Sequence, residues 1–294
     1  MKKAEIIAPA TNGFDKLDLL IMRELEIDAR QSDSSIAKRL GTSSATVGRR
    51  LRKLLEEGTI EFATVTDYRA LGYTLFITFA LTVQPGTAYE TADQLAQRSQ
   101  IIRHIWVSTG RYDILAVAFF RDSDDLLRFL DHELSILPNV KSFEIITALK
   151  ALKASWGYLA PPEKIDSQWV STPRHSLNLK ASDLSLIKEI ERDPRQTAAE
   201  LSKQLGVSIA TVRRKLRTFS DLDIIKVITI QNPSALGYTI HATLLIEAVS
   251  SNISSVANQL AACKEVKHIA IMSGVFTIMA WAAFESADCL QRFA

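Results

Sequence analysis

Basic residues collect at two places in this chain in runs that no acid interrupts. Arg49, Arg50, Arg52 and Lys53 fall in a stretch without Asp or Glu from residue 34 to 55, and Arg213, Arg214, Lys215 and Arg217 in another from 201 to 220. Uncompensated guanidinium and ammonium groups in series suit a polyanion, because they neutralise phosphates and because Arg can grip a guanine edge with two parallel hydrogen bonds. On a helical wheel of about 100° per residue, Val47, Leu51 and Leu54 share one side, Arg49, Arg52 and Lys53 the other, and Arg50 flanks the apolar side. In the second stretch Val212, Leu216 and Phe219 face in, and Arg214 and Arg217 face out. One face packs while the other offers cations.

Both stretches belong to a repeat. Residues 41–54 and 206–219 are identical at eight of fourteen positions, in a register of 165 that runs from Asp18/Asp183 to the pentapeptides Ala70–Thr74 and Ala235–Thr239. After one deletion the register is 164, pairing His104 with His268 and Gly110 with Gly274. A repeat of this length sets the domain count before any other reading. At 294 residues, 23% charged and 47% apolar, the chain has ordinary globular composition and room for several cores.

The elements that must position the cations follow from periodicity. Leu17, Leu20, Ile21 and Leu25 mark a first amphipathic helix, and Ile36, Ala37 and Leu40 a second, which Gly41 ends. Ser43 or Ser44 can cap a third helix that carries the basic residues and stops before Gly58. Three helices with a tight turn between the last two form a helix-turn-helix, and residues 59–66 read as a wing or linker arm. By motif geometry the N-terminal half of the third helix faces base edges, so Ser44, Ala45, Thr46 and Gly48 are candidate base-proximal residues and Arg50, Arg52 and Lys53 candidate phosphate contacts, with Ser43 and Arg49 completing the candidate DNA-binding set. Their counterparts are Ser208, Thr211, Arg213, Arg214, Lys215 and Arg217. Gly48 against Arg213 implies that the two copies do not read the same bases.

Beyond Gly72 the pattern becomes β-α-β-β-α-β, with strands at 75–83, 101–108, 112–120 and 140–149 and helices at 87–97 and 124–134. That order is ferredoxin-like. The fold class is therefore α+β: two copies of a winged helix-turn-helix domain followed by a ferredoxin-like domain, divided as 14–62, 63–158, a linker at 159–178, 179–226 and 227–294. The second copy stops at Ala294, which aligns with Leu130, so its last ferredoxin-like domain is incomplete. A shortened sequence is the expected reason, since the lost strand would flank the first one and leave an open edge.

The residues Leu17–Ile21, Ser43–Leu54, Glu57–Ile60, Leu71-Gly72 and Gly110–Asp113 resemble those of the Lrp/AsnC, or feast/famine, transcription regulators. The resemblance covers about residues 14–155 and returns at 179–294. It implies a sequence-specific DNA-binding regulator, self-association through the ferredoxin-like domains, and a small-molecule effector, an amino acid or a relative of one. The implied effector site is the hairpin Gly110, Arg111, Tyr112 and Asp113, where the Asp113 carboxylate would meet an α-amino group; a plain tight turn is the alternative reading. Copy two has Phe276 and Thr277 at the last two positions, so one effector per chain is expected.

Siroheme decarboxylases share this architecture and form the alternative enzyme reading, with histidines and basic residues around a tetrapyrrole. Of five histidines only His104/His268 is shared between copies, and no nucleophile–base pair, metal spacing or Gly-rich phosphate loop stands out. No catalytic residue, metal or cofactor is therefore assigned. A ligand-binding or assembly module with degenerate DNA binding is the remaining alternative. Cys263 and Cys289 lack metal-like spacing and fit the reduced thiols of a cytoplasmic protein. The N-terminal apolar stretch is too short for a signal peptide and the apolar run 114–120 is strand-sized, so no membrane partner is expected.

Overall fold

The computed structural model describes residues 13–98, 101–160 and 179–294. The expected linker at 159–178 therefore lies mostly outside the described residues. Helices α1 (Lys16–Ile27), α2 (Asp33–Leu40) and α3 (Ser44–Glu56) open the chain. Asp15 caps α1 in a reciprocal capping box with Asp18, and Ser32 and Ser43 cap α2 and α3 through their hydroxyls. Gly41 ends α2 at φ 68°, in the left-handed region where a side chain would be strained. The same architecture returns in α6 (Ala181–Arg192), α7 (Ala198–Leu205) and α8 (Ile209–Asp221), with Gly206 again left-handed.

The expected wing is a shared element. Strand β1 (Ile60–Thr66) pairs antiparallel with β6 (Ile225–Gln231) as a two-stranded sheet. Ala63 faces Ile228, its own counterpart at a spacing of 165, so a pseudo-twofold axis passes through this pair. The arms also exchange partners. Thr229 and Gln231 of β6 bond carbonyls of Leu25 and Met22 in α1, whereas Thr64 of β1 bonds that of Ile190 in α6. Leu236 closes the core of α1–α3 and Ala70 that of α6–α8. Each helical unit is therefore completed by residues of the other copy.

Residues 75–154 form a β-α-β-β-α-β unit: β2 (Leu75–Val83), α4 (Ala88–Arg98), β3 (Ile102–Val107), β4 (Ile114–Phe120), α5 (Ser123–Phe129) with a π turn at Leu130–Leu134, and β5 (Val140–Ala154). In copy two the order is β7 (Ile240–Ile246), α9 (Ile253–Ala262), β8 (Val266–Met272), β9 (Ile278–Phe284) and α10 (Ala287–Phe293). All seven strands join in the order β3-β4-β2-β5-β8-β9-β7. Strand β5 is the bridge, pairing β2 through Val140–Thr147 and β8 through Ala148–Ala154. It runs five residues past the strand expected from alternation, because β8 supplies hydrogen-bond partners that periodicity cannot foresee. β7 is an edge, as strand order predicted for a copy lacking its last strand.

One face of each sheet packs on its own helices. Phe79, Phe120 and Phe129 anchor the first such core and Phe284 the second. The opposite faces meet each other: Ala80, Tyr112, Leu115 and Ile146 of copy one share a core with Met272, flanked by Leu245, Phe276 and Met279 of copy two. An apolar patch exposed on both sides of a sheet must be covered, and here each copy covers the other.

Candidate nucleic-acid interface and the seam between the copies

The third helix of each unit is seated by its apolar stripe. Val47, Leu51 and Leu54 are buried on α3, and Val212 and Phe219 on α8. Ser43 and Ser208 each accept a backbone N–H three residues on, at 3.1 Å, and share a hydroxyl–hydroxyl bond of 2.9 Å with Thr46 and Thr211. The hydroxyls of Ser43, Thr46, Ser208 and Thr211 thus serve the caps first. Ser44, Arg49, Arg52 and Lys53 are exposed on the outer face of α3, and Ile209, Arg213, Arg214 and Arg217 on that of α8. Lys53 lies 3.8 Å from Glu57 and Arg217 3.7 Å from Asp221, exposed pairs that hold their partners weakly.

Two of the cations have intramolecular work. Arg50 donates to Asp15 at 2.5 Å and to Asp18 at 2.8 Å, and these carboxylates hold its guanidinium above its ordinary pKa. Lys215, its counterpart, meets Asp183 at 2.6 Å and Ser182 at 2.8 Å. Arg50 and Lys215 therefore tie the third helix to the first. The shared Asp18/Asp183 was the sequence signal for this, since an acid kept in both copies needs a partner. Gly48 sits beneath α2: a Cβ there would lie 2.7 Å from the Asp33 carboxylate. The residue matching Asp33 in copy two is Ala198, and Arg213 there is exposed.

The hairpin between β3 and β4 lies at the seam. Gly110 takes φ 133°, the Ser108 N–H closes the turn on the Asp113 carbonyl at 2.9 Å, and Tyr112 is buried in the shared core. Asp113 Oδ2 accepts the Val83 N–H at 2.8 Å. Thr277 does the same in copy two, accepting the Ala248 N–H at 3.0 Å. The side-chain oxygen that copy two keeps is thus the one that ties the hairpin to the neighbouring strand. Arg111 donates to the Tyr112 hydroxyl at 3.1 Å, lies 5.1 Å from the Phe276 ring centroid and reaches within 4.0 Å of Glu144. A cation thus stands where the two copies abut.

Sequence reading missed a pair of joints. Glu26, at the end of α1, accepts the backbone N–H groups of Tyr158, Leu159 and Ala160 at 2.5–3.0 Å. Burial pushes its carboxyl up to about 7 against these donors and Lys267. Lys267 in β8 lies over the Tyr158 ring at 4.3 Å, and burial lowers its amine to about 8. In the other copy Glu191 accepts from Thr66 and Tyr68, whose ring carries Arg103 at 4.5 Å. Glu26/Glu191 at 165 and Arg103/Lys267 at 164 were legible as shared charges; their meeting across copies was not.

His104 stacks on Trp106 at 5.6 Å, and His268 lies between Trp156 and Trp281 at 5.3 and 5.8 Å. Burial lowers both imidazoles, His268 to about 3, which keeps it neutral in an aromatic packing role. Among the described residues, no group of His, Cys, Asp or Glu is placed to hold a metal ion, and no helix is long and apolar enough to cross a membrane.

The comparisons with known proteins meet this geometry. A model of the AsnC-type helix-turn-helix domain matches residues 14–55, one of the Lrp/AsnC ligand binding domain residues 74–156, and one of a winged helix-turn-helix DNA-binding domain residues 179–226. The HTH-type transcriptional regulator Ptr1 of Methanocaldococcus jannaschii is 31% identical over 141 residues, 48% of this chain and 95% of its own. The HTH-type transcriptional regulator LrpA of Pyrococcus horikoshii is also 31% identical over 141 residues, 48% of this chain and 99% of its own. Among solved structures, the siroheme decarboxylase NirDL superposes with TM-score 0.61 over 95% of this chain and 85% of its own, at 16% identity, a likeness of fold. With near-full-length relatives above 30% identity and separate models on its helical and sheet regions, the chain belongs to the Lrp/AsnC family of helix-turn-helix transcriptional regulators.

Proposed function

We propose that this chain is a tandem, fused form of that family, which grips duplex DNA with α3 and α8 as a pseudo-twofold pair and so does within one chain what two subunits would otherwise do. Its functional units are those at 14–62, 63–158, 179–226 and 227–294. The observation that carries the reading is the exposed basic stripe of Arg49, Arg52 and Lys53 on α3, with acids only at its C-terminal end, and its recurrence as Arg213, Arg214 and Arg217 on α8, both on helices whose opposite faces are packed. Arg50 and Lys215 support the interface by fixing the helix, with Ser44 and Gly48 on the side that meets the groove. Self-association through the sheet domains is satisfied, in this reading, by the seam between the copies.

A small-molecule effector, an amino acid in the first instance, is assigned to the seam at Gly110, Arg111, Tyr112 and Asp113. A carboxylate on Asp113 has acceptor capacity beyond the single Val83 N–H, and Arg111 supplies the complementary cation. Copy two offers Phe276 and Thr277 there, so the stoichiometry is one per chain. The test is selection of bound fragments from the source genome, with and without an amino-acid mixture, followed by retention assays across a salt series. Enrichment of discrete sites with an affinity falling about 0.9 log units per phosphate neutralised for each log unit of salt supports DNA binding. Indiscriminate or absent retention overturns it. A Soret shift on adding sirohaem, without DNA retention, would favour the decarboxylase reading.

A further inference from the structure

The two third helices are unequal readers. At i, i+3, i+4 and i+7 the outer stripe of α3 is Ala45, Gly48, Arg49 and Arg52, and that of α8 is Ala210, Arg213, Arg214 and Arg217. Three of these four positions keep their residue type. The fourth differs for a structural reason. Asp33 opens α2, and its carboxylate oxygen lies 2.7 Å from where a Cβ at 48 would stand, so an arginine there would have to displace or pair with that carboxylate. Ala198 opens α7 at the matching place, so Arg213 stands clear and exposed, with no ion-pair partner among the described residues. The first residue of the helix differs as well: Ser44 on α3 is Ile209 on α8, an isoleucine left 40% exposed.

An exposed arginine at the fifth residue of a helix whose N-terminal half faces the groove suits the O6 and N7 acceptors of guanine, and an apolar side chain one turn earlier suits a thymine methyl. We propose that the chain reads an operator with two unlike half-sites: the half under α8 contains a guanine contacted by Arg213 and a thymine contacted by Ile209, and the half under α3 requires neither. This rests on the DNA-binding reading and adds the residues that break its symmetry. Asp33 and Ala198 set the surroundings of the two positions: an arginine at 48 would meet the Asp33 carboxylate, whereas Arg213 meets no acid at the matching place.

The experiment is selection from a random duplex pool by the full chain at fixed salt, with sequencing of the retained fraction. The expected motif has two recognisable halves that differ in one guanine and one thymine. The Arg213→Ala variant should lose the guanine preference in one half alone, with about ten- to a hundredfold weaker binding to the selected duplex. The paired variant Asp33→Ala/Gly48→Arg should acquire guanine at the corresponding position of the other half. A symmetric motif from the natural chain overturns the proposal while leaving DNA binding intact. So does an Arg213→Ala motif identical to the parent. Retention of no duplex, even at low salt, overturns both readings together.

Discussion

Glu26 joins the first helical unit to the backbone that follows β5, and a carboxylate held this deeply makes folding depend on pH. Its carboxyl is pushed from 4.5 to about 7, so the folded state binds a proton there that the unfolded chain has released. At about 1.36 kcal/mol per unit, burying the charged form costs about 3 kcal/mol. The cost is absent below about pH 4.5, grows as pH rises, and is complete above about pH 7; this group therefore makes the fold less stable toward alkaline pH. His268, lowered to about 3, acts oppositely between about pH 3 and 6.5, and Lys267, lowered to about 8, regains stability only above that pH. A direct reading of one pH curve would mix the three. The Glu26→Gln variant separates them, because a neutral amide carries no charge at any pH and leaves the other groups in place. Its carbonyl can accept two of the three N–H groups, so one stays unpaired at roughly 1–3 kcal/mol and the variant need not be more stable at neutral pH. The robust quantity is the slope. Urea unfolding followed by circular dichroism from pH 5 to 8 should show the natural chain losing roughly 2.5 kcal/mol relative to Glu26→Gln. Parallel stability curves for the two proteins would refute the placement of a buried, protonatable carboxyl at this joint.

Three further outcomes follow from the site geometry. Asp113→Ala leaves the Val83 N–H without its acceptor and should lower stability by about 1–3 kcal/mol, whereas Asp113→Thr, which imports the solution used by Thr277, should melt close to the parent; calorimetry of both compares them. Replacing Arg49 and Arg52 together with Ala should weaken DNA binding broadly and flatten the log affinity against log salt slope by nearly two, read by titration at several salt concentrations. Arg50→Ala should behave differently, lowering the melting temperature through loss of the Asp15 and Asp18 bonds while leaving that salt slope unchanged; a slope that falls as much as for Arg49→Ala would put Arg50 on the DNA instead.

Much of this protein was legible in the chain itself because the information is local or repeated. Capping serines, left-handed glycines and the i, i+3, i+4 spacing of Val47, Leu51 and Leu54 specify the helical units without reference to anything distant. The 165-residue register exposes the duplication, and the absence of acids beside Arg49 and Arg213 marks the outer faces of α3 and α8. Partner choice was decided only by the tertiary structure. Alternation makes β1 and β6 strands, but nothing local says that Ala63 pairs with Ile228, or that the second half of β5 leaves its own sheet for β8. A run of basic residues does not reveal that Arg50 is turned to Asp15 and Asp18 while Arg49 faces solvent, since about 100° of helical rotation separates the two neighbours. Spacing alone does not show that Gly48 stands against the carboxylate of Asp33, a residue fifteen positions upstream on another helix. Nothing in the residues around Glu26 marks it as buried. The backbone at 158–160, with Lys267 of the other copy beside it, turned Glu26 into a joint, because desolvation depends on what the rest of the chain brings up to a residue and not on its neighbours in sequence.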